Sequence, residues 1–182
     1  PAGVSSTDTF TISDHDLAAR LSFFLWSTGP DAQLLRLATE RRLSDPVVLE
    51  RQVRRMLEDP RAEALATRFA AQWLRIPDLE RMHPDVRTYP DFDEQLKRAM
   101  QRETELFFEY LVRQDRGLFE LLTADYTFLN ERLAKHYGVP GIVGTAFRQV
   151  TYPQDDARRG ILGHGSVLTL TSHTNRTSPV LR

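Results

Sequence analysis

Cysteine is missing from all 182 residues. That absence excludes disulfides, thiolate metal sites, a cysteine nucleophile and a covalent Cys-x-x-Cys-His haem attachment within this chain. It leaves the compartment open, because a protein without thiols suits either redox environment. Long apolar runs are missing too. The longest is Phe23-Phe24-Leu25-Trp26, far short of the roughly 18 residues that span a bilayer, so no transmembrane segment is expected. Excess charge of either sign is absent, with 24 basic residues against 25 acidic ones and a net charge of −1. The basic pairs Arg41-Arg42, Arg54-Arg55 and Arg158-Arg159 lie close to acidic residues and never extend into runs. Nucleic acid is therefore not an expected partner. The chain holds no internal repeat, no low-complexity tract and no signal-peptide pattern. It opens on Pro1 and stops within a motif at Arg182, so a processed or partly ordered piece of something longer is expected.

What is present is amphipathic helix. Apolar residues make up 41% of the chain, enough for a sizeable core in one domain. Residues 1–13 lack periodicity and read as an extended lead-in. Ser13 with Asp16 is a short capping box, and Leu17, Leu21, Phe24 and Leu25 then fall on one helical face until Gly29-Pro30 ends it. A second helix follows Asp31. Ser44-Asp45-Pro46 starts a third, running to Glu58, and Asp59-Pro60 opens a fourth, to about Ile76, with a stripe through Leu65, Phe69 and Trp73. Pro77, Pro84 and Pro90 predict a loop over 77–90. The longest helix is expected from about Asp91 to Gln114, with Leu96, Met100, Phe107 and Leu111 inward. Trp73, Phe69, Phe107 and Leu111 are expected to be buried together. A short helix through Phe119 and Leu122 follows, and then Asn130 caps a helix over 131–137, closed by Gly138. Asp125 is expected to pair with a nearby arginine. Alternation over 147–152 suggests an extended segment.

The fold class expected is all-α: a bundle-like array of six or seven helices with an irregular, glycine-rich C-terminal extension. The domain reading is lead-in 1–13, helical domain 14–140, and a C-terminal module fragment over 141–182 packed on it.

No complete catalytic set stands out. A di-metal bundle needs paired Glu-x-x-His helices, whereas the one such spacing, Glu80 to His83, falls in the proline-flanked loop. Glu103, Glu105 and Glu109 read as a solvated face. His15, His83 and His136 are isolated and read as structural, His136 as a last-turn cation favoured by the helix dipole. The glycines around His164 carry neither a phosphate loop nor a nucleophile elbow. Ser166, Ser172 and Ser178 near His164 and His173 fit turn and cap chemistry better than nucleophilic catalysis. The glycines themselves suggest close backbone approach, to a helix or to a flat ligand. His173 and Arg176 are the leading site candidates, three apart in a polar, non-helical segment restrained by Pro179, with His164 the second choice. An imidazole there could ligate iron or shuttle a proton, and a guanidinium could hold a propionate or carboxylate. No metal site is assigned.

A set of ordered segments resembles a known group of proteins. They are Arg20-Leu-Ser-Phe-Phe-Leu-Trp26, Arg55-Met-Leu-Glu-Asp-Pro-Arg61, Gln72-Trp-Leu74, Glu103-Thr104 with Phe107-Phe108, and Ala124-Asp-Tyr-Thr-Phe-Leu-Asn-Glu-Arg-Leu-Ala134. His136-Tyr-Gly138, Arg159-Gly-Ile-Leu162 and Ser172-His-Thr-Asn-Arg-Thr-Ser-Pro-Val180 complete the set. From about residue 14 to the end the chain resembles two adjoining modules of planctomycete-type exported proteins, which combine a cytochrome c domain with several domains of unknown function. The resemblance implies a periplasmic or cell-surface setting and haem on a partner domain or chain, with no cofactor in this one. It implies partners within a larger cytochrome-containing assembly. Two functions follow as expectations: a non-catalytic structural or interaction subunit, or a redox module lending distal-side or electron-path residues to that haem. Whether the chain is an enzyme stays open.

Overall fold

The computed structural model describes residues 12–173, 176 and 177, the last three through their backbone only. The fold is mainly helical, and the chain divides into two compact units, 1–64 and 65–182.

The first unit holds α1 (Asp14–Trp26), α2 (Ala32–Thr39), α3 (Pro46–Glu58) and a 3-10 turn over Pro60–Ala62. Side-chain caps start each α-helix. Ser13 accepts from Asp16 N, Asp31 from Leu34 N, and Asp45 from Val47 N and Val48 N, with Pro46 at the first helical position. These acceptors satisfy amide donors that a helix start leaves unpaired. The unit closes on Trp26, whose indole N–H donates to the Met56 carbonyl at 2.9 Å. The Arg61 guanidinium lies 3.5 Å from the centroid of that ring, a cation–π contact. Asp59 binds Arg61 at 2.7 Å, and the hydrogen bonds from Arg61 hold its carboxyl down at about 2.

The second unit is built on α5 (Glu94–Arg113), capped by Asp93. Before it come a π-helical stretch (Leu65–Ala70), α4 (Ala71–Trp73) and a 3-10 helix (Ile76–Arg81). After it come α6 (Glu120–Thr123), β1 (Tyr126–Leu129), α7 (Glu131–Tyr137) and β2 (Arg148–Thr151). A 3-10 turn (Ile161–Gly163), α8 (Gly165–Leu170) and the short strands β3 (Ser172–His173) and β4 (Arg176–Thr177) complete the described chain. β1 and β2 pair antiparallel, Tyr126 opposite Thr151 through Leu129 opposite Arg148. One apolar cluster joins Phe107, Leu111, Leu121, Tyr126 and Ile161, and a second joins Leu96, Met100, Leu129 and Leu133. Both lie against the same face of α5.

The structure corrects four expectations about the frame. Residues 60–76 are not one α-helix, and Phe69 and Trp73 are not core: they are 43% and 59% exposed and stack on each other at 6.4 Å. The π winding is the reason. It buries Leu65, Ala66, Ala70 and Ala71, a spacing of five that α-periodicity misses, and turns position 69 outward. Trp73→Ala is therefore expected to cost less than about 1 kcal/mol in chemical denaturation; a loss of core size, near 3–5 kcal/mol, would put Trp73 back inside. The proline-rich 77–90 region carries 3-10 helix to Arg81 rather than loop throughout. Asp125 is exposed, with no arginine pair among the described residues; its backbone carbonyl instead accepts from Tyr152 N at 2.6 Å.

The Asn130 cap is present, its side chain accepting from Leu133 N at 3.0 Å, with Gly138 closing α7 at φ 72°. Asn130→Ala is expected to lower stability by about 1 kcal/mol, and urea unfolding of the variant checks it.

Candidate functional site

α5, α7, β1 and the start of α8 enclose a buried polar cluster around Glu103. The stripe Leu96, Met100, Glu103, Phe107, Leu111 explains how the carboxylate got there. Glu103 lies three residues after Met100 and four before Phe107, on the face that faces the core. It is 0% exposed. Thr127 donates to Oε1 at 2.6 Å and Tyr137 to Oε2 at 2.6 Å. The Tyr137 hydroxyl in turn accepts from the Gly165 backbone N–H at 2.6 Å. Burial pushes the Glu103 carboxyl up to about 8, against the opposing pull of the Thr127 and Tyr137 hydrogen bonds. Burial also pushes the Tyr137 phenol well above its ordinary value, and the neighbouring Glu103 adds to this. The reading of Glu103 and Glu105 as a solvated face is thus overturned. Both are buried, and Glu105 accepts from Gln101 at 2.8 Å and Arg102 at 3.1 Å.

His164 sits beside this cluster. The α8 start carries it inward, where its ring meets Phe107 edge-on at 4.8 Å. Nδ1 is 3.1 Å from Thr104 Oγ1, and Thr104 Oγ1 is 2.7 Å from Ser166 Oγ. Nε2 is buried with no hydrogen-bond partner. Burial alone drives the imidazole down to about 3, so the ring is neutral. Tyr152 places its hydroxyl beside Thr127 without closing a good hydrogen bond. Arg158 covers both tyrosines, 4.5 Å over Tyr137 and 5.4 Å from Tyr152. It is paired with Asp156 at 2.8 Å, whose carboxyl it holds below the usual range.

The glycines around His164 have a packing explanation. A Cβ on Gly165 would lie 2.8 Å from Met100 Cε and 2.9 Å from the Tyr137 hydroxyl. A Cβ on Gly160 would lie 2.3 Å from the Leu121 carbonyl oxygen. Close approach to neighbouring helices, rather than to a flat ligand, accounts for both positions.

Met100 separates this interior from a cleft of about 550 Å³ whose lining includes Arg81, His83, Tyr89, Phe92 and His136. Two histidines that look isolated in sequence thus share one cavity. His83 Nδ1 lies 2.9 Å from the Arg81 carbonyl; a carbonyl only accepts, so Nδ1 carries the proton. His136 is not favoured as a cation. Burial lowers its pKa, and Arg132 and Arg158 lower it further.

His173 and Arg176 face each other in register across the β3–β4 pair; their side chains lie outside the described residues. Sequence reasoning missed Glu103 and Tyr137 as a pair. The available signal was the place of Glu103 within the apolar stripe. Among the described residues, no group of three or more His, Asp or Glu is placed to hold a metal ion. No described helix is long and apolar enough to cross a membrane.

A family model described as PSD4, protein of unknown function (DUF1592), matches residues 12–139. No curated protein and no solved structure matches the chain.

Proposed function

The chain belongs to the PSD4 family of unknown function, and we propose that it is a non-catalytic interaction module of an exported cytochrome c-type protein. In this reading its helices form a bundle-like array, continued by the segment from 141 on. They supply packing surface to other domains or chains of a periplasmic or cell-surface redox assembly. One observation carries the non-catalytic part: the groups best suited to chemistry are consumed in the interior. Glu103 takes both its donors from Thr127 and Tyr137, and His164 and Ser166 are 0% exposed. A working centre needs a base or nucleophile within reach of a reacting atom. The exported setting and the cytochrome partner rest on the sequence resemblance. No haem site is assigned to this chain, which has no cysteine to attach one.

A second reading has its own support. Tyr137 donates to Glu103 at 2.6 Å, so above the Glu103 value of about 8, where the carboxylate is ionised, a phenol that gave up an electron would have an acceptor for its proton. The chain would then lend an electron-path residue to a haem on another domain or chain.

The two readings separate in the full-length protein. His173→Ala, Arg176→Ala and Tyr137→Phe are compared with the parent by visible spectroscopy, redox titration and electron-transfer rate. The interaction reading predicts an unchanged Soret band, midpoint potential and rate in all three. A potential shift of about 59 mV, tenfold in a one-electron equilibrium, or a slowed rate in Tyr137→Phe, overturns it in favour of the redox reading.

A further inference from the structure

We propose that the cleft bounded by the Ile76–Arg81 turn, α5, the end of α7 and α8 is a binding site for a small aromatic carboxylate. Its size fits: about 550 Å³ lies inside the roughly 300–1,000 Å³ range of small-molecule sites, room for one or two fused rings. Its walls fit as well. Tyr89 and Phe92 offer flat faces, and Met100 offers a polarizable thioether floor that adapts to a ring edge.

The charge of the lining selects the sign of the ligand. One guanidinium is the charged group of the lining, beside two imidazoles, three hydroxyl side chains, Tyr89, Thr169 and Ser172, and no carboxylate. The field at His136 is positive on balance, since the influence of Arg132 and Arg158 on it outranks that of Asp91. Arg81 is the cation at the rim. Its side chain is 86% exposed, and the carboxylate it pairs with, Asp78, lies at 3.7 Å, beyond a strong charge-assisted bond. It can turn to a ligand carboxylate without giving up a close partner. Its own carbonyl holds the His83 ring at 2.9 Å, which keeps the imidazole beside the guanidinium at the rim. The smaller cavity near Lys97 makes a contrast, because Glu80 and Glu94 balance Lys97 and Arg98 there and no sign is preferred.

This inference goes beyond the interaction module proposed above and stands or falls separately from it. The probe is 2-naphthoate, titrated into the full chain by isothermal calorimetry and ligand-observed NMR, with the neutral 2-naphthalenemethanol as the ring-matched comparison. The proposal predicts saturable binding of the carboxylate and at least about tenfold weaker binding of the alcohol. Arg81→Ala, a change at an exposed side chain that leaves the fold intact by circular dichroism, weakens the carboxylate by about tenfold and leaves the alcohol unchanged. Phe92→Ala weakens both. Trp73→Ala, on the exposed Phe69–Trp73 stack, changes neither. Absence of saturable binding overturns the proposal. So does equal affinity for the two ligands, an unchanged Arg81→Ala, or loss of binding in Trp73→Ala, which would place the ligand on the surface stack.

Discussion

Glu103→Ala is expected to destabilise the protein by about 3 kcal/mol or more at pH 6. The loss has two parts. Two hydroxyls, from Thr127 and Tyr137, would keep their donors in a dry interior with no acceptor, at about 1–3 kcal/mol for each orphaned group. Removal of a fully buried side chain also leaves a cavity between α5, β1 and α7. Relief from holding a carboxyl away from water offsets part of this sum, which is why the expectation sits at its lower end. Urea denaturation followed by circular dichroism measures it. A change below about 1 kcal/mol would mean that Glu103 is solvated, as its residue type alone suggests.

Gly160→Ala is expected to cost about 4 kcal/mol, at the upper end for a single substitution. Two effects add. The φ of 48° is in the left-handed region, costly for a residue with a side chain. The new methyl would also stand 2.3 Å from the Leu121 oxygen and 2.6 Å from the Leu122 carbonyl carbon. Those atoms are helix backbone and cannot step aside. The Gly160 N–H donates to Ala124 O at 2.8 Å, so backing away breaks a buried hydrogen bond as well. Gly29→Ala is the control, with nothing within 4 Å of the added carbon and an expected change within about 0.5 kcal/mol. Equal midpoints for the two variants in thermal melts would refute the close crossing.

Much of the helical frame is legible in the sequence because caps are local. Ser13, Asp31, Asp45, Asp93 and Asn130 each fix a helix start from within three residues. Signals that depend on distant chain were harder to read. The strand Tyr126–Leu129 is defined by its partner over 148–151, and four residues of mixed pattern do not announce a ladder. The π stretch over Leu65–Ala70 shifts the buried period from four to five, so Phe69 and Trp73 look like core and are not. Of the candidate site, His164 was legible as special from its glycines, although its burial was not. Glu103 hid behind its charge. Only its position on the stripe between Met100 and Phe107 betrays it, and that is a weak signal until Thr127 and Tyr137 are known to meet it. The shared cleft of His83 and His136 has no sequence signature at all, since 53 positions separate them.

Glu103 is a buried member of a structural cluster, with its carboxyl pushed up to about 8 by burial. Such a group binds its proton more tightly folded than unfolded. Its stabilising contribution is complete below the unfolded carboxyl value, near 4.5, and is lost as pH rises towards 8. His164 and His136 act in the opposite sense, because burial lowers both. Their protonation favours the unfolded chain in acid, and that influence fades only about one pH unit above the unfolded imidazole value near 6.5. A variant changed only at residue 103 isolates Glu103, because both histidines are common to the two proteins. The decisive measurement is unfolding free energy against pH for the parent and for Glu103→Gln, which keeps the shape and cannot ionise. The parent is expected to lose stability relative to Glu103→Gln as pH rises from about 5 to 8, at up to about 1.4 kcal/mol per pH unit. Parallel curves for the two proteins would mean that Glu103 titrates alike in the folded and unfolded chain and is not held buried.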